Sequence, residues 1–126
     1  FNFDSAAGII YTVDVTKPKG EKVTITSMAD GTPFSLDKMY KVALNSYRGN
    51  GGGELLTKGS GISQDELKDR ILYSTDKDLR YYLMQYIEKK GVIEPHALGQ
   101  WKFIPEEWVE PAAKRDYEYL FGKVEK

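Results

Sequence analysis

Residues 9–28 read IIYTVDVTKPKGEKVTITSM, and this stretch decides the fold. Apolar and polar side chains alternate along 9–15 and again along 23–28, which is the period of a β-strand. Between the two runs, residues 17–20 read Lys-Pro-Lys-Gly, where proline fixes φ and glycine permits a positive φ. The stretch therefore predicts two strands paired in an antiparallel hairpin.

Residues 40–47 predict a third strand, in which Tyr40, Val42 and Leu44 face one way and Tyr47 faces the other. This strand leads into residues 49–53, where four glycines in five positions would let the backbone approach a ligand closely. A flexible loop is the simpler interpretation of the glycines alone, because neither glycine pattern of the familiar phosphate-binding loops is complete here.

The second half of the chain has a helical period. Thr75 and Asp78 resemble a capping box and Gly91 a C-terminal cap, which places the main helix near Asp76–Lys90. On this helix three apolar residues share one face and are expected to pack into the core: Leu79, Leu83 and Ile87.

Three shorter elements complete the predicted fold. They are a short helix or turn over 64–73, a short strand over 101–104, and a tail over 105–126. Trp108, Val109 and the stretch 117–121 give this tail enough apolar surface to dock, and we interpret them as core. The predicted class is α+β: a mixed sheet with an antiparallel hairpin, packed by one main helix and shorter helical pieces, in a single domain over 1–126.

Composition excludes several functions. The chain has 126 residues, which suits one domain, and 18 Lys and Arg oppose 19 Asp and Glu. This balance argues against electrostatic binding to a nucleic-acid polymer. The absence of cysteine excludes disulfides and thiol catalysis. No apolar run reaches the length of a membrane span, and no secretory signal opens the chain. The first residue, Phe1, indicates a processed product or an excised piece.

The sequence contains no self-sufficient catalytic or metal-binding constellation. His96 is the single histidine, in a predicted loop, and we interpret it as a surface or packing residue. Acidic pairs such as Asp76/Asp78 and Glu106/Glu107 lie at a helix start or in a charged turn, where the helix dipole and solvation explain them. We therefore expect no catalytic residue, metal or other cofactor in this chain.

Two motifs follow each other along the chain: residues 3–14, FDSAAGIIYTVD, and residues 40–52, YKVALNSYRGNGG. In this order and at this spacing they resemble the C-terminal domain of the 5′-nucleotidase and 2′,3′-cyclic-nucleotide 2′-phosphodiesterase family. The likeness extends over about residues 1–104 and leaves 105–126 unmatched.

The resemblance implies nucleotide binding. In that family an N-terminal metallophosphoesterase domain carries two divalent metal ions and the catalytic residues, while the C-terminal domain binds the nucleotide and carries it to the metals by rotating. Two aromatic side chains sandwich the base, and the matching positions here are Phe3 and Tyr47. Such a clamp tolerates different bases, because every base has a stacking face. The same resemblance implies further substrate-binding residues around the glycines: Asn45, Arg48, Asn50, Gly51, Gly52 and Glu54.

The chain departs from the family pattern at identifiable places. Gly53 stands where 5′-nucleotidases carry an Asp that binds the ribose hydroxyls, and Glu54 follows one residue later. The Tyr47-Arg48 pair resembles the cyclic-phosphodiesterase branch. The family's domain also begins before the segment that matches Phe3 and holds its phosphate-binding arginines there. We therefore expect this chain to be the later portion of such a domain, with its partner segment in the same or another chain.

The resemblance implies a bacterial protein of the periplasm or the cell exterior. Its nucleotide or nucleoside would be presented to an N-terminal metallophosphoesterase domain, and this chain would contribute base recognition. An alternative is a non-enzymatic binding or interaction module that kept the fold and lost the nucleotide. Gly53, the unmatched tail and the missing arginines favour that alternative, whereas Phe3 and Tyr47 oppose it. A sugar is a third type of stacking ligand.

Overall fold

The computed structural model describes residues 4–122, which form two compact units. We call the first the sheet unit; it comprises residues 4–38 and 97–122. The second, the helical unit, comprises residues 39–96 and is inserted in the sequence between the two parts of the first.

The sheet unit contains a three-stranded mixed sheet. Its strands are β1 (Ile9–Asp14), β2 (Val23–Met28) and β3 (Trp101–Ile104), in the order β2-β1-β3. β1 pairs antiparallel with β2, with a register shift between Ile10 and Tyr11, and parallel with β3. The predicted hairpin, the predicted short strand and the α+β class with a mixed sheet are confirmed.

An aromatic cluster forms the core of the sheet unit. Tyr11, on the central strand, is only 6% exposed. Its ring stacks on that of its parallel neighbour Trp101, with centroids 5.8 Å apart and planes 10° apart, and Trp101 meets Phe103 edge-on at 5.1 Å. Stacked and edge-on aromatic pairs add to the stabilisation that burial alone provides.

The tail after β3 begins with helix α4 (Glu106–Phe121), which contacts β3. Val109 and Ala112 are half-buried on this helix, but Trp108, Tyr119 and Phe121 are exposed, as are Tyr117 and Leu120. The prediction that Trp108 and residues 117–121 belong to the core is therefore wrong. β3 is only four residues long, so a 16-residue helix extends well beyond the surface that β3 offers.

The helical unit contains three α-helices and two intervening turns. These elements are α1 (Ser46–Gly49), a 3₁₀ turn (Gly52–Glu54), a π turn (Leu55–Gly59), α2 (Gln64–Asp69) and α3 (Leu79–Lys90). The short helix predicted within 64–73 is confirmed over its first six residues.

The strand predicted over 40–47 is wrong. Residues 40–45 have no regular secondary structure, and Ser46 begins α1. Asn45 causes the difference, because its Oδ1 accepts a hydrogen bond from the Arg48 N–H at 2.8 Å and so caps the helix N-terminus. Short polar side chains satisfy these otherwise unpaired N–H groups better than a continued strand would. Tyr47 therefore lies on a helical turn, not at a strand end.

Helix α3 starts later than predicted, and its apolar residues are exposed. Asp78 is the N-cap, accepting from the Tyr81 N–H at 2.9 Å, whereas the Thr75 hydroxyl donates to the Lys77 carbonyl. Three residues expected in the core are 72%, 53% and 42% exposed: Leu79, Leu83 and Ile87. That prediction is wrong, because helical spacing shows which residues share a face but supplies no partner for it.

Candidate functional site

Most of the predicted binding residues lie in one compact turn. Asn45 caps α1, Tyr47 and Arg48 lie on that helix, and Asn50 ends it, with its N–H bonded to the Ser46 carbonyl. The chain then reverses through Gly51 at φ +88°. Glycine adopts a positive φ without the steric cost that a Cβ imposes. We call residues 45–54 the glycine turn.

The Tyr47 ring lies against the backbone of this turn, and Tyr47 as a whole residue is nevertheless 61% exposed. A Cβ on Gly52 would stand 2.6 Å from both Cδ2 and Cε2 of the ring, and 2.5 Å from the Tyr47 carbonyl oxygen. Only glycine fits at such distances. Position 52 therefore supports one edge of the ring through its bare backbone, and much of the ring surface remains open to solvent.

Arg48 connects Tyr47 with Gly52. Its guanidinium carbon lies over the Tyr47 ring, 5.3 Å from the centroid, and its Nη1 donates to the Gly52 carbonyl at 3.1 Å. A guanidinium at this distance is attracted to the negative face of the ring. The hydrogen bond holds the cation in place, so Tyr47, Arg48 and Gly52 form one locally connected group.

Glu54, the remaining predicted residue of the turn, has a φ of +60°, which is unusual for a residue with a side chain. Its carboxylate pairs with the Lys58 ammonium at 2.6 Å, and both side chains are mostly exposed. Exposed ion pairs of this kind hold their partners weakly. Within residues 45–54, Glu54 is the acidic residue, and it stands one position after Gly53.

Helix α2 supports the turn, and the sequence analysis missed this contact. A Cβ on Gly51 would lie 2.8 Å from Gln64 Oε1 and 3.3 Å from atoms of Leu67 and Thr57. Leu67 is 5% exposed. The Ser63-x-x-Glu66 spacing marks the start of α2 and forms a complete capping box in the structure, but it does not report the contact with the turn.

Residues 2–58 match the family model described as "5'-nucleotidase, C-terminal domain". The chain is 30% identical over 116 residues to the trifunctional nucleotide phosphoesterase protein YfkN of Bacillus subtilis. It is 29% identical over 120 residues to a 2′,3′-cyclic-nucleotide 2′-phosphodiesterase/3′-nucleotidase of Haemophilus influenzae. These matches confirm the resemblance to the C-terminal domain of the 5′-nucleotidase family.

The matches with the relatives cover 83% of this chain in both cases, but only 7% of the Bacillus protein and 17% of the Haemophilus protein. The chain thus spans a small part of either relative. The family match for the 5′-nucleotidase C-terminal domain includes position 3 and the whole glycine turn, and ends before α2 begins. No solved structure matches the chain significantly.

Phe3, the second aromatic position implied by the 5′-nucleotidase resemblance, lies outside the described residues. Its pairing with Tyr47 stays a prediction. The segment that follows it is held by two hydrogen bonds, from Ala6 N–H to the Tyr11 hydroxyl at 3.1 Å and from Gly8 N–H to Gln100 Oε1 at 2.9 Å. An open groove of about 440 Å³ runs beside this segment, lined by residues 5–7 and 97–101.

Within residues 4–122, no three His, Cys, Asp or Glu side chains are grouped so that they could hold a metal ion. His96 Nδ1 lies 3.3 Å from the Glu94 carbonyl oxygen. The same part of the chain contains no helix of the length and apolarity needed to cross a membrane.

The stability of α2, which supports the glycine turn, depends on pH through its capping box. Glu66 accepts from the Ser63 backbone N–H at 2.9 Å, and this bond lowers the pKa of the Glu66 carboxyl, helped by the Ser63 hydroxyl and by Arg70. A carboxyl whose pKa is lowered on folding stabilises the fold above its unfolded pKa. That stabilisation is lost as the pH falls through the lower, folded pKa.

We therefore expect the protection of the α2 amides against hydrogen exchange, relative to their intrinsic exchange rates, to fall on acidification once the pH drops below the ordinary range of a glutamate. The measurement is exchange, corrected for intrinsic rates, from pH 6 to pH 2.5. Glu66→Gln keeps an acceptor but does not titrate. In this variant the corrected protection of the α2 amides should no longer fall over this pH range. Equal acid sensitivity of both proteins would contradict the assignment.

Proposed function

We propose that this chain binds a nucleotide or nucleoside through its base, with Tyr47 as the stacking surface. The observation that carries the proposal is the environment of Tyr47: the residue is 61% exposed, yet Gly52 lies against its ring and the Arg48 guanidinium lies over the ring. A ring in the core would be buried, and a freely moving surface tyrosine would have no backbone packed against its ring. An exposed aromatic held in place is what base stacking requires.

The Arg48 guanidinium lies over the Tyr47 ring, 5.3 Å from its centroid. A base would therefore stack on the opposite face. A base contacting that face would gain dispersion and apolar burial without displacing Arg48. Phe3 is proposed to cover the second face of the base, as the family resemblance implies. Glu54, with Asn45 and Asn50, would offer polar groups to the sugar at the edge of the turn.

The reaction of the whole protein is proposed to be metal-assisted hydrolysis of a phosphoester. Both relatives are named as phosphoesterases of nucleotides, and this chain covers only a small part of each. The divalent metals and the catalytic groups would belong to an N-terminal metallophosphoesterase domain, where the metals would supply Lewis-acid activation of the phosphoester and of water. The 5′-nucleotidase and cyclic-phosphodiesterase reactions are both compatible with base binding by this chain and catalysis by an N-terminal domain. We place the parent protein in the bacterial periplasm or outside the cell, on the family resemblance.

Replacing Tyr47 by alanine should weaken the binding of AMP by about 5- to 150-fold, the range expected for loss of one stacked face. Tyr47→Phe should stay within about 3-fold of the unchanged protein, because the ring face stacks and the hydroxyl does not. The measurement is an NMR or calorimetric titration of the purified chain, with released phosphate monitored in parallel. Equal affinities for the alanine and phenylalanine variants would contradict stacking on Tyr47, and metal-dependent phosphate release that scales with the chain would contradict the division of roles.

A non-enzymatic module that kept the fold and lost the nucleotide is the second candidate, and Gly53 favours it. Gly53 has a φ of +71° and presents no carboxylate at the position where 5′-nucleotidases carry the ribose-binding Asp. Titrations with adenosine, AMP and 2′,3′-cyclic AMP separate the two candidates. Absence of binding to all three by folded protein supports the module, and a sugar that perturbs Tyr47 instead would indicate the third type of ligand.

A further inference from the structure

We infer that Gln64 is a positioning residue for nucleotide binding, acting by holding the glycine turn that supports the Tyr47 ring. The inference rests on the proposed function, because it assigns a supporting residue to the same site. Gln64 lies on α2, beyond the end of the family match, and its side chain contacts the backbone of the glycine turn at Asn50 and Gly51. Its effect would have to pass through the backbone of the turn.

Both ends of the Gln64 carboxamide lie on that backbone. Nε2 donates to the Asn50 carbonyl at 3.0 Å, and Oε1 lies so close to Gly51 that a Cβ there would be 2.8 Å away. The two backbone groups of Gly51 are also bonded: its N–H to the Arg48 carbonyl at 3.0 Å and its carbonyl to the Glu54 N–H at 3.1 Å. Gln64 therefore contacts the turn at the point where α1 passes into the 3₁₀ turn.

Leu67 provides a second contact from the same face of α2. It lies three residues after Gln64, which is one helical turn, and its Cδ1 would be 3.3 Å from a Cβ on Gly51. Since Leu67 is 5% exposed, it anchors α2 in the interior of the helical unit. The polar contact of Gln64 then fixes the turn against an element that is itself held by an apolar anchor and a capping box.

The path from Gln64 to the binding surface is short. Gln64 holds Asn50 and Gly51, and the next residue, Gly52, abuts the Tyr47 ring and accepts the hydrogen bond from Arg48. If the turn is free to move, the ring loses its support in part of the population. Observed affinity falls in proportion to the fraction of molecules that are competent to bind, so a residue that holds the turn raises affinity without touching the ligand.

The test compares two substitutions that each remove one exposed glutamine hydrogen bond from the helical unit. Gln64→Met removes the bond to Asn50, and Gln85→Met removes the bond from Gln85 Nε2 to the Tyr81 hydroxyl, 3.0 Å long, on α3. Gln64→Lys is the rescue variant, because its ammonium can again donate to the Asn50 carbonyl. The ligand is adenosine, which is uncharged, so the added lysine does not attract it electrostatically.

Gln64→Met should weaken adenosine binding by about 3- to 10-fold, the loss that corresponds to one hydrogen bond. Gln85→Met should leave binding unchanged, and Gln64→Lys should return to within about 2-fold of the unchanged protein. The NMR resonances of the Tyr47 ring in ligand-free protein should shift in Gln64→Met and not in Gln85→Met. A merely stabilising role for Gln64 would lower the unfolding midpoint without moving the Tyr47 resonances.

Besides unmoved Tyr47 resonances in Gln64→Met, three outcomes overturn the inference, and they are distinguishable. If the unchanged protein does not bind adenosine, the proposed function fails and the inference fails with it. If the unchanged protein binds and Gln64→Met binds as tightly as Gln85→Met, only the role of Gln64 is overturned. If Gln64→Lys is as weak as Gln64→Met and leaves the Tyr47 resonances equally shifted, the hydrogen bond to Asn50 is not what holds the turn.

Discussion

Replacing Tyr11 by alanine should lower the free energy of unfolding of the sheet unit by about 3–5 kcal/mol, the range for truncation of a buried aromatic side chain. Tyr11 is 6% exposed and stacks on Trp101 at a centroid distance of 5.8 Å. Truncation would leave a cavity on the central strand, which pairs with both of the others. Denaturant unfolding followed by tryptophan fluorescence measures the loss, because Trp101 is the stacking partner.

Tyr11→Phe is the matched control for this substitution. It keeps the ring and its stacking on Trp101, and removes only the hydroxyl that accepts from the Ala6 N–H. The expected cost is about 1 kcal/mol, the usual net value of one hydrogen bond. If both variants lost the same stability, the hydroxyl and not the ring would be the main contribution of Tyr11, and the aromatic cluster would not be the core of the unit.

Replacing Gly52 by alanine should weaken AMP binding by at least about 10-fold, which approaches the loss expected from removing the Tyr47 ring itself. The new methyl would stand 2.5 Å from the Tyr47 carbonyl oxygen and 2.6 Å from two ring carbons, so both the backbone and the ring must move. Overpacking of this kind also costs about 1–3 kcal/mol of stability. The measurements are the AMP titration and a thermal unfolding curve of the same protein.

Gly49→Ala is the control for Gly52→Ala, since it places the same methyl three residues earlier in the same turn. A Cβ on Gly49 would meet no heavy atom within 4 Å, and Gly49 lies in α1, where alanine is the better helix former. We expect AMP affinity to be unchanged and stability to be unchanged or slightly raised. Equal losses of affinity at 49 and 52 would mean that the turn tolerates no substitution, and that the contact of Gly52 with Tyr47 has no special role.

The sheet was predictable because its signals are local. Alternation along 9–15 and 23–28, with Lys-Pro-Lys-Gly between them, was enough to predict the hairpin, and the stretch 101–104, which is apolar except for Lys102, was enough for β3. No local pattern states which strand β3 pairs with. That β3 joins β1 in parallel is known only from the structure.

The wrong predictions have two causes. In one case a single side chain starts a different secondary structure, and in the others an apolar face has no packing partner within the described part of the chain. Residues 40–47 alternate like a strand, but the Asn45 side chain captures the Arg48 N–H and starts a helix. Leu83 on α3 and Trp108 on α4 belong to apolar stretches at helical spacing, yet both are exposed. Periodicity reports the shape of an element, whereas burial depends on what packs against it.

The candidate site was found by resemblance and not by spacing. Tyr47, Arg48 and the glycines entered through a family motif, and the structure adds how they contact one another. The support from Gln64 and Leu67 could not be read from the motif, because it crosses from residue 50 to residue 64 through space. That Phe3 supplies the second aromatic ring opposite Tyr47 stays a prediction.

The parallel pairing of β1 with β3 has a consequence for the order in which the chain folds. Tyr11 and Trp101 are neighbours in the sheet but are separated in sequence by the entire 39–96 insertion. As the chain leaves the ribosome, the hairpin emerges before the helical unit, and an isolated hairpin is marginally stable in water. Its aromatic partner arrives only after the helical unit has been synthesised, and closing so long a loop costs entropy before any contact compensates. The sheet unit can therefore complete its core only after residues 39–96 have been synthesised, and until then the apolar side chains of the nascent hairpin lack their partner strand.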